Sequence, residues 1–189
     1  MREPYQWYVL YVRANTEKRV ISDILRFIET KRFEFDFDVF CPESEYYYRG
    51  DKTGPLGKPY RKRPLFPGYV FIETEMPPKE FLRQFGTYAY GAHDIIRILG
   101  TGDSEGIALS KEERIRLEFL LKDKRCVEHS VGYIVGDAVT VEQGPLKGYE
   151  GLITYINRHN RFADIEMDMF GGKVKARVAL EIVNKTVER

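Results

Sequence analysis

Six bases, Arg49, Lys52, Lys58, Arg61, Lys62 and Arg63, fall in one stretch together with Tyr46, Tyr47, Tyr48 and Tyr60. Cations neutralise phosphate and tyrosine rings stack on unpaired bases, so this stretch is the candidate for nucleic-acid contact. A solvated charged loop has the same composition, and both readings stand at this point. Arg158, His159 and Arg161 form a second, smaller candidate. Asp164, Glu166 and Asp168 alternate, which puts three carboxylates on one face of a strand. Such a trio could hold a cation, but the solvent side of a half-buried strand carries the same pattern, and that is the reading taken here. His93, His129 and His159 are scattered, and Cys41 and Cys126 stand alone. There is no phosphate-cradling glycine loop, no nucleophile elbow and no metal-ligand spacing. An enzyme is not expected, nor are catalytic residues, a metal or a cofactor.

The whole chain bounds these candidates. Its 189 residues suit one medium domain or two small ones, and 43% hydrophobic content can bury a core. No apolar run approaches the roughly 20 residues that cross a bilayer, so no membrane association is expected. The opening apolar stretch lacks a small-residue cleavage site and reads as a strand rather than a signal peptide. Isolated cysteines fit a reducing compartment, and a cytoplasmic location is expected. Net charge is only +1, which argues against a protein that coats nucleic acid indiscriminately. The charge is uneven, however. Residues 29–45 hold Glu29, Glu34, Asp36, Asp38, Glu43 and Glu45 against Lys31 and Arg32, whereas 46–66 hold the six bases against Asp51 alone.

The elements that must position these residues follow from periodicity. Residues 6–12 are aromatic and β-branched, a strand. Asn15 or Thr16 can cap a helix whose apolar face is Val20, Ile21, Ile24, Leu25 and Ile28. Residues 33–40 alternate and predict a strand, and Arg49 to Pro64 predicts an exposed loop. A dense apolar run follows Pro67-Gly68, then a short helix from Pro78 with Phe81, Leu82 and Phe85 on one side. Residues 94–99 predict another strand. Ser110 and Glu113 make a capping box for a helix with Ile115, Phe119 and Leu120 on its apolar face. Alternating strands and helices over 1–122 predict an α+β domain with helices over an antiparallel sheet. Lys122 to Ser130 is polar and serves as a linker, 123–130. From 131 to 189 the helical period disappears, and short strands separated by glycine-containing turns predict a small antiparallel SH3-like barrel.

Within that barrel, Gly136 to Gly151 carries strand, Gly-Pro turn and closing glycine, and resembles the KOW motif. Glycines permit sharp reversal and Pro145 presets a turn. Residues 131–189 contain eight bases and eight acids. A neutral barrel is a weaker phosphate binder than a protein-binding platform.

Trp7-Tyr8-Val9-Leu10-Tyr11 and Leu65-Phe66-Pro67-Gly68-Tyr69-Val70-Phe71, followed by Ile95 to Gly100 and the KOW stretch, resemble the NusG family of transcription elongation factors. The resemblance covers nearly the whole chain. It implies an N-terminal NusG-type (NGN) α/β sandwich joined to a KOW barrel, without catalysis. It further implies an apolar surface that binds the clamp helices of RNA polymerase, comprising Tyr11, Leu65, Phe66, Pro67, Gly68, Tyr69 and Ile96 with Arg19 beside it. Trp7 and Val70 fit the core better. Phe170, with Leu146 and Tyr149, matches a contact that family members offer to a ribosomal protein or to Rho. The family often has a base where Gly172 stands here.

Gly144 to Ile153, Ile156-Asn157-Arg158-His159 and Ala179 to Val183 look most like the LoaP branch of specialised antitermination paralogues. That branch implies action at particular operons through an RNA hairpin or another nucleic-acid element, contacted by the basic stretch. The alternatives are a general elongation and termination factor of the family and a ribosomal KOW protein.

Overall fold

The computed structural model describes residues 5–48, 60–100 and 106–186. Among them the chain is α+β, with twelve strands and three α-helices. It packs as two compact units built from non-contiguous stretches. One comprises Met1–Pro42, Phe66–Ile115 and Met169–Gly172; the other comprises Glu43–Leu65, Arg116–Asp168 and Lys173–Arg189.

The first unit is organised around a four-stranded sheet of β1 (Gln6–Val12), β2 (Phe37–Phe40), β5 (Tyr69–Thr74) and β6 (Ile95–Ile98), in the order β2-β5-β1-β6. Every pairing in it is antiparallel. Side chains alternate across a strand, so β1 feeds two cores. Tyr8, Leu10 and Val12 join Val20 and Ile24 of α1 (Glu17–Lys31) and Phe81, Phe85 and Ala89 of α2 (Pro78–Gly91). Trp7 points the other way, onto Phe40 and Phe71 at 5.3 and 6.0 Å. Its indole N–H donates to Glu73 over 2.7 Å, which satisfies a buried donor.

The strand expected at 33–40 forms only from Phe37. The earlier alternation has a different cause: Phe33 packs on Phe27, Phe37 and Phe85 without joining the sheet. The capping box at the start of α3 (Lys111–Leu121) forms as expected. Glu113 accepts from Ser110 N–H at 2.8 Å, and Glu113 N–H donates to Ser110 Oγ at 3.3 Å. The buried face of α3 is Leu117, Leu120 and Leu121, while Ile115 and Phe119 are exposed.

The second unit holds two sheets. β4 (Tyr60–Pro64), β3 (Glu43–Tyr47) and β7 (Cys126–Val127) lie in that order; β3 pairs antiparallel with β4 and parallel with β7. The stretch expected to be a loop up to Pro64 therefore ends as a strand, and the polar 123–130 segment contains β7. The other sheet has the order β10-β11-β12-β8-β9, from β8 (Ser130–Val135), β9 (Ala138–Gln143), β10 (Ile153–Asn157), β11 (Phe162–Met169) and β12 (Gly172–Thr186). It is mixed rather than wholly antiparallel, because β12 runs parallel to β8. Along β11, Ala163, Ile165, Met167 and Met169 are buried and the intervening residues face outward. Among the described residues no helix is long and apolar enough to cross a membrane.

Candidate functional site

In the first unit the turn before β5 collects most residues of the expected apolar surface. Gly68 sits at φ +84°, and a Cβ there would lie 3.0 Å from the carbonyl oxygen of Val12. Only glycine fits such a position without strain. Val12 N–H donates to Gly68 O at 2.8 Å, and Gly68 N–H donates to Glu17 Oε1 at 2.7 Å. The turn is thereby tied to β1 on one side and to the first residue of α1 on the other. Glu17 is buried. A leading glutamate looks like an ordinary charged first-turn residue, so the sequence offered no signal for this role.

Beyond the turn, aromatic rings form a row along the sheet. Phe71 meets Phe66 at 6.4 Å, Phe66 meets Tyr69 at 6.1 Å, and Tyr69 meets Tyr11 at 5.5 Å. Exposure grades along the row. Phe66 is only 2% exposed and Leu65 3%, so both serve the core here, as Trp7 and Val70 do. Tyr11 and Tyr69 are half-buried, Pro67 is exposed and Ile96 is 52% exposed. Arg19 is exposed and forms an ion pair with Asp94, which also accepts from His93. Hydrogen bonding from Arg19, then from His93, holds the Asp94 carboxyl below its usual range.

Of the three residues expected to meet a further partner, Leu146 and Tyr149 belong to the second unit, where Tyr149 N–H donates to Leu146 O at 2.9 Å, and Phe170 belongs to the first. Leu146 is fully buried, with its N–H donating to Ser130 Oγ. Tyr149 lies 4.6 Å from Phe119. Phe170, at φ +56°, stacks at 6.3 Å on Tyr69, and its N–H donates to Glu113 Oε1 over 2.7 Å.

In the second unit the hairpin β3–β4 carries half of the basic candidate. Arg61, Lys62 and Arg63 lie on β4, whereas Arg49, Lys52 and Lys58 lie outside the described residues. The register sets Arg63 opposite Ser44 and Arg61 opposite Tyr46, all on one hairpin face. On that face the Arg61 guanidinium lies 4.1 Å from the Tyr48 ring, and that of Arg63 lies 5.2 Å from the Tyr46 ring. Such cation–π pairing holds guanidinium groups flat and presented. The reverse face is a polar network. Tyr60 stacks on His129 at 4.4 Å and donates to Glu181. Glu45 accepts from the backbone and ring of His129. Arg161 lies 4.3 Å over Tyr47 and pairs with Glu181. Burial, then the charge of Glu181, push the Tyr60 phenol up to about 12. Thus Arg161, from the smaller basic candidate, is joined to the larger one by contacts that span 47 to 181, a separation no sequence pattern reveals.

The carboxylates of β11 are matched by bases on β12. Asp164 accepts two hydrogen bonds from Arg177, at 2.6 and 2.9 Å, and Glu166 pairs with Lys173 and Lys175. Among the described residues no group of three or more His, Cys, Asp or Glu side chains could hold a metal ion.

Comparison with known proteins agrees with this architecture. The transcription termination/antitermination protein NusG of Borreliella burgdorferi is 23% identical over 185 residues, covering 95% of this chain and 97% of that protein. Its namesake from Thermus thermophilus is 25% identical over 170 residues, covering 88% and 90%. A solved structure titled "Domain interaction in Thermotoga maritima NusG" shares the fold, with a TM-score of 0.54, 20% identity and 94% of each chain covered. The family model for NusG, described as transcription termination factor nusG, matches residues 5–118, more than half of the chain, and the chain therefore belongs to the NusG family.

Proposed function

We propose that this protein is a cytoplasmic elongation factor that binds RNA polymerase and promotes processive antitermination at particular operons. In this reading Tyr11, Pro67, Tyr69 and Ile96, flanked by Arg19, meet the clamp helices, while Leu65, Phe66 and Gly68 hold the turn beneath them. Partly exposed rings paired at the end of the two central strands suit such an anchor, because aromatic residues dominate interface energies. The leader RNA, or another nucleic-acid element, is bound by the basic hairpin through Arg61, Lys62 and Arg63, with Arg49, Lys52 and Lys58 adding charge. The observation that carries the operon-specific part is the interleaving of Arg61 and Arg63 with Tyr48 and Tyr46 on one face of β3–β4. A purely solvated loop has no reason to stack its cations on rings. Recruitment of a ribosomal protein or of Rho through Phe170 would require that ring to leave Tyr69.

The test is single-round transcription through an intrinsic terminator, with and without the native operon leader. Leader-dependent read-through is expected. Read-through or termination that ignores the leader would instead establish a general factor, the reading closer to the relatives' names.

A further inference from the structure

The ring-stacked face of the hairpin does not end at β4. Ser44, on that same face, donates through Oγ to the carbonyl oxygen of Arg177 at 3.1 Å, which brings the face against β12. There the pattern repeats: the Arg177 guanidinium lies 3.9 Å from the Phe162 ring, and Phe162 lies 6.0 Å from Tyr155. All these residues belong to the second unit. Guanidinium and ring thus alternate from Tyr48 and Arg61 to Phe162 and Tyr155. The residues at the two ends, Tyr48 and Tyr155, are 43% and 52% exposed.

Charge along this track is not balanced. Asp164 is engaged twice by Arg177, and Arg63 lies within electrostatic reach of the same carboxylate, so two guanidinium groups share one carboxylate. Burial, then repulsion from Arg177, lower the pKa of Arg63. An anion at this point would offset both the repulsion and the cost of burying the charge. The 131–189 region is neutral as a whole, but its charge is locally positive where the track crosses.

We propose that the β3–β4 face and the β10–β12 face form one continuous track for single-stranded nucleic acid, with Arg63 and Arg177 as a phosphodiester subsite and Tyr48 and Tyr155 as base-stacking ends. This rests on the proposed nucleic-acid contact of the hairpin and extends it to residues that the basic stretch does not include. Unpaired strands fit because stacking needs free base faces, which a duplex withholds. Phosphate and ring contacts fix the position of a strand along the track.

The experiment is a fluorescence-anisotropy titration of the intact chain with labelled oligo(U), oligo(dT) and a duplex of equal length. Either single strand should bind at least about tenfold more tightly than the duplex, and a difference between the two identifies RNA or DNA as the source. Tyr48→Ala and Tyr155→Ala should each weaken single-strand binding by roughly tenfold, with unchanged melting temperatures because both rings are exposed. Arg63→Gln should lower the slope of log affinity against log salt by about one. Loss in Tyr48→Ala together with wild-type affinity in Tyr155→Ala would confine binding to the hairpin and overturn the track alone. Absence of binding by the unaltered chain, or preference for the duplex, would overturn the track; the first of these would also remove the hairpin reading.

Discussion

The carboxylate of Glu17 accepts a 2.7 Å hydrogen bond from the backbone N–H of Gly68, so the first residue of a helix fixes a turn 51 positions away. Gly68 can accept this arrangement because its φ of +84° is open to glycine. Gly68→Ala is expected to destabilise the protein by about 1–3 kcal/mol, from left-handed strain and the close approach to Val12 O. Glu17→Ala should cost about 1–3 kcal/mol by leaving a buried N–H without its acceptor. Urea unfolding of the two variants and their double mutant checks this; full additivity would show that the two residues do not act together.

Gradation of exposure along the aromatic row separates binding from folding. Ile96→Ala and Tyr11→Ala are expected to weaken RNA polymerase binding by roughly tenfold, as truncation of interface anchors does. Ile96→Ala should leave the melting temperature nearly unchanged, since its side chain is half in solvent. Phe66→Ala, by contrast, should cost about 3–5 kcal/mol of stability, because it empties a site that is 2% exposed. Titration of labelled polymerase, paired with thermal melts, would show the split; equal losses of stability in Ile96→Ala and Phe66→Ala would refute it.

Acid should act on the β11–β12 pair. Hydrogen bonding by Arg177 holds the Asp164 carboxyl below its usual range. A carboxyl whose pKa is lower folded than unfolded adds stability above the unfolded value, about 4, and loses it as pH falls through the folded value. Asp164→Asn should therefore be destabilised relative to the unaltered chain at pH 7, with the gap closing below about pH 4. Urea midpoints measured across that window decide it, and a gap independent of pH would mean that the ion pair contributes nothing through charge.

Cysteine chemistry should divide by depth. Burial pushes the Cys126 thiol up to about 11, and its side chain is enclosed by the second unit. Alkylation needs an accessible thiolate, so Cys41, which is partly exposed, should react with iodoacetamide well before Cys126 at pH 8. Peptide mapping over time reads the order directly.

Much of this architecture was legible residue by residue. The aromatic and β-branched content of residues 6–12, the apolar face of α1 and the Ser110–Glu113 box each carry a local rule, and each produced the expected element. β4 was not legible. Tyr-Arg-Lys-Arg-Pro has no apolar alternation, and its strand exists because β3 supplies partners for its backbone and rings for its cations. The Phe-Glu-Phe-Asp run misled for the converse reason, because packing against α1 and α2 residues also rewards every second phenylalanine. On α3, Ile115 and Phe119 lie one turn apart and exposed, while Leu117, Leu120 and Leu121 take the buried side. Apolar content alone could not choose between those faces. For the candidate sites, the sequence marked rings and cations but not their depth, so Leu65, Phe66 and Leu146 looked no different from Tyr11, Ile96 and Tyr149.

Among the described residues β4 is the outermost strand of its three-stranded sheet, and an outermost strand is where another chain can add. Arg61, Lys62 and Arg63 place three like charges on that margin, so two copies approaching edge to edge repel one another. In the reading proposed above, guarding that margin and holding polyanions are tasks of the same three side chains. A triple replacement by neutral residues would weaken phosphate attraction and also invite strand addition, with turbidity rising as concentration rises. Triple charge reversal to glutamate would remove the attraction while leaving the margin guarded, and is the cleaner way to separate the two roles.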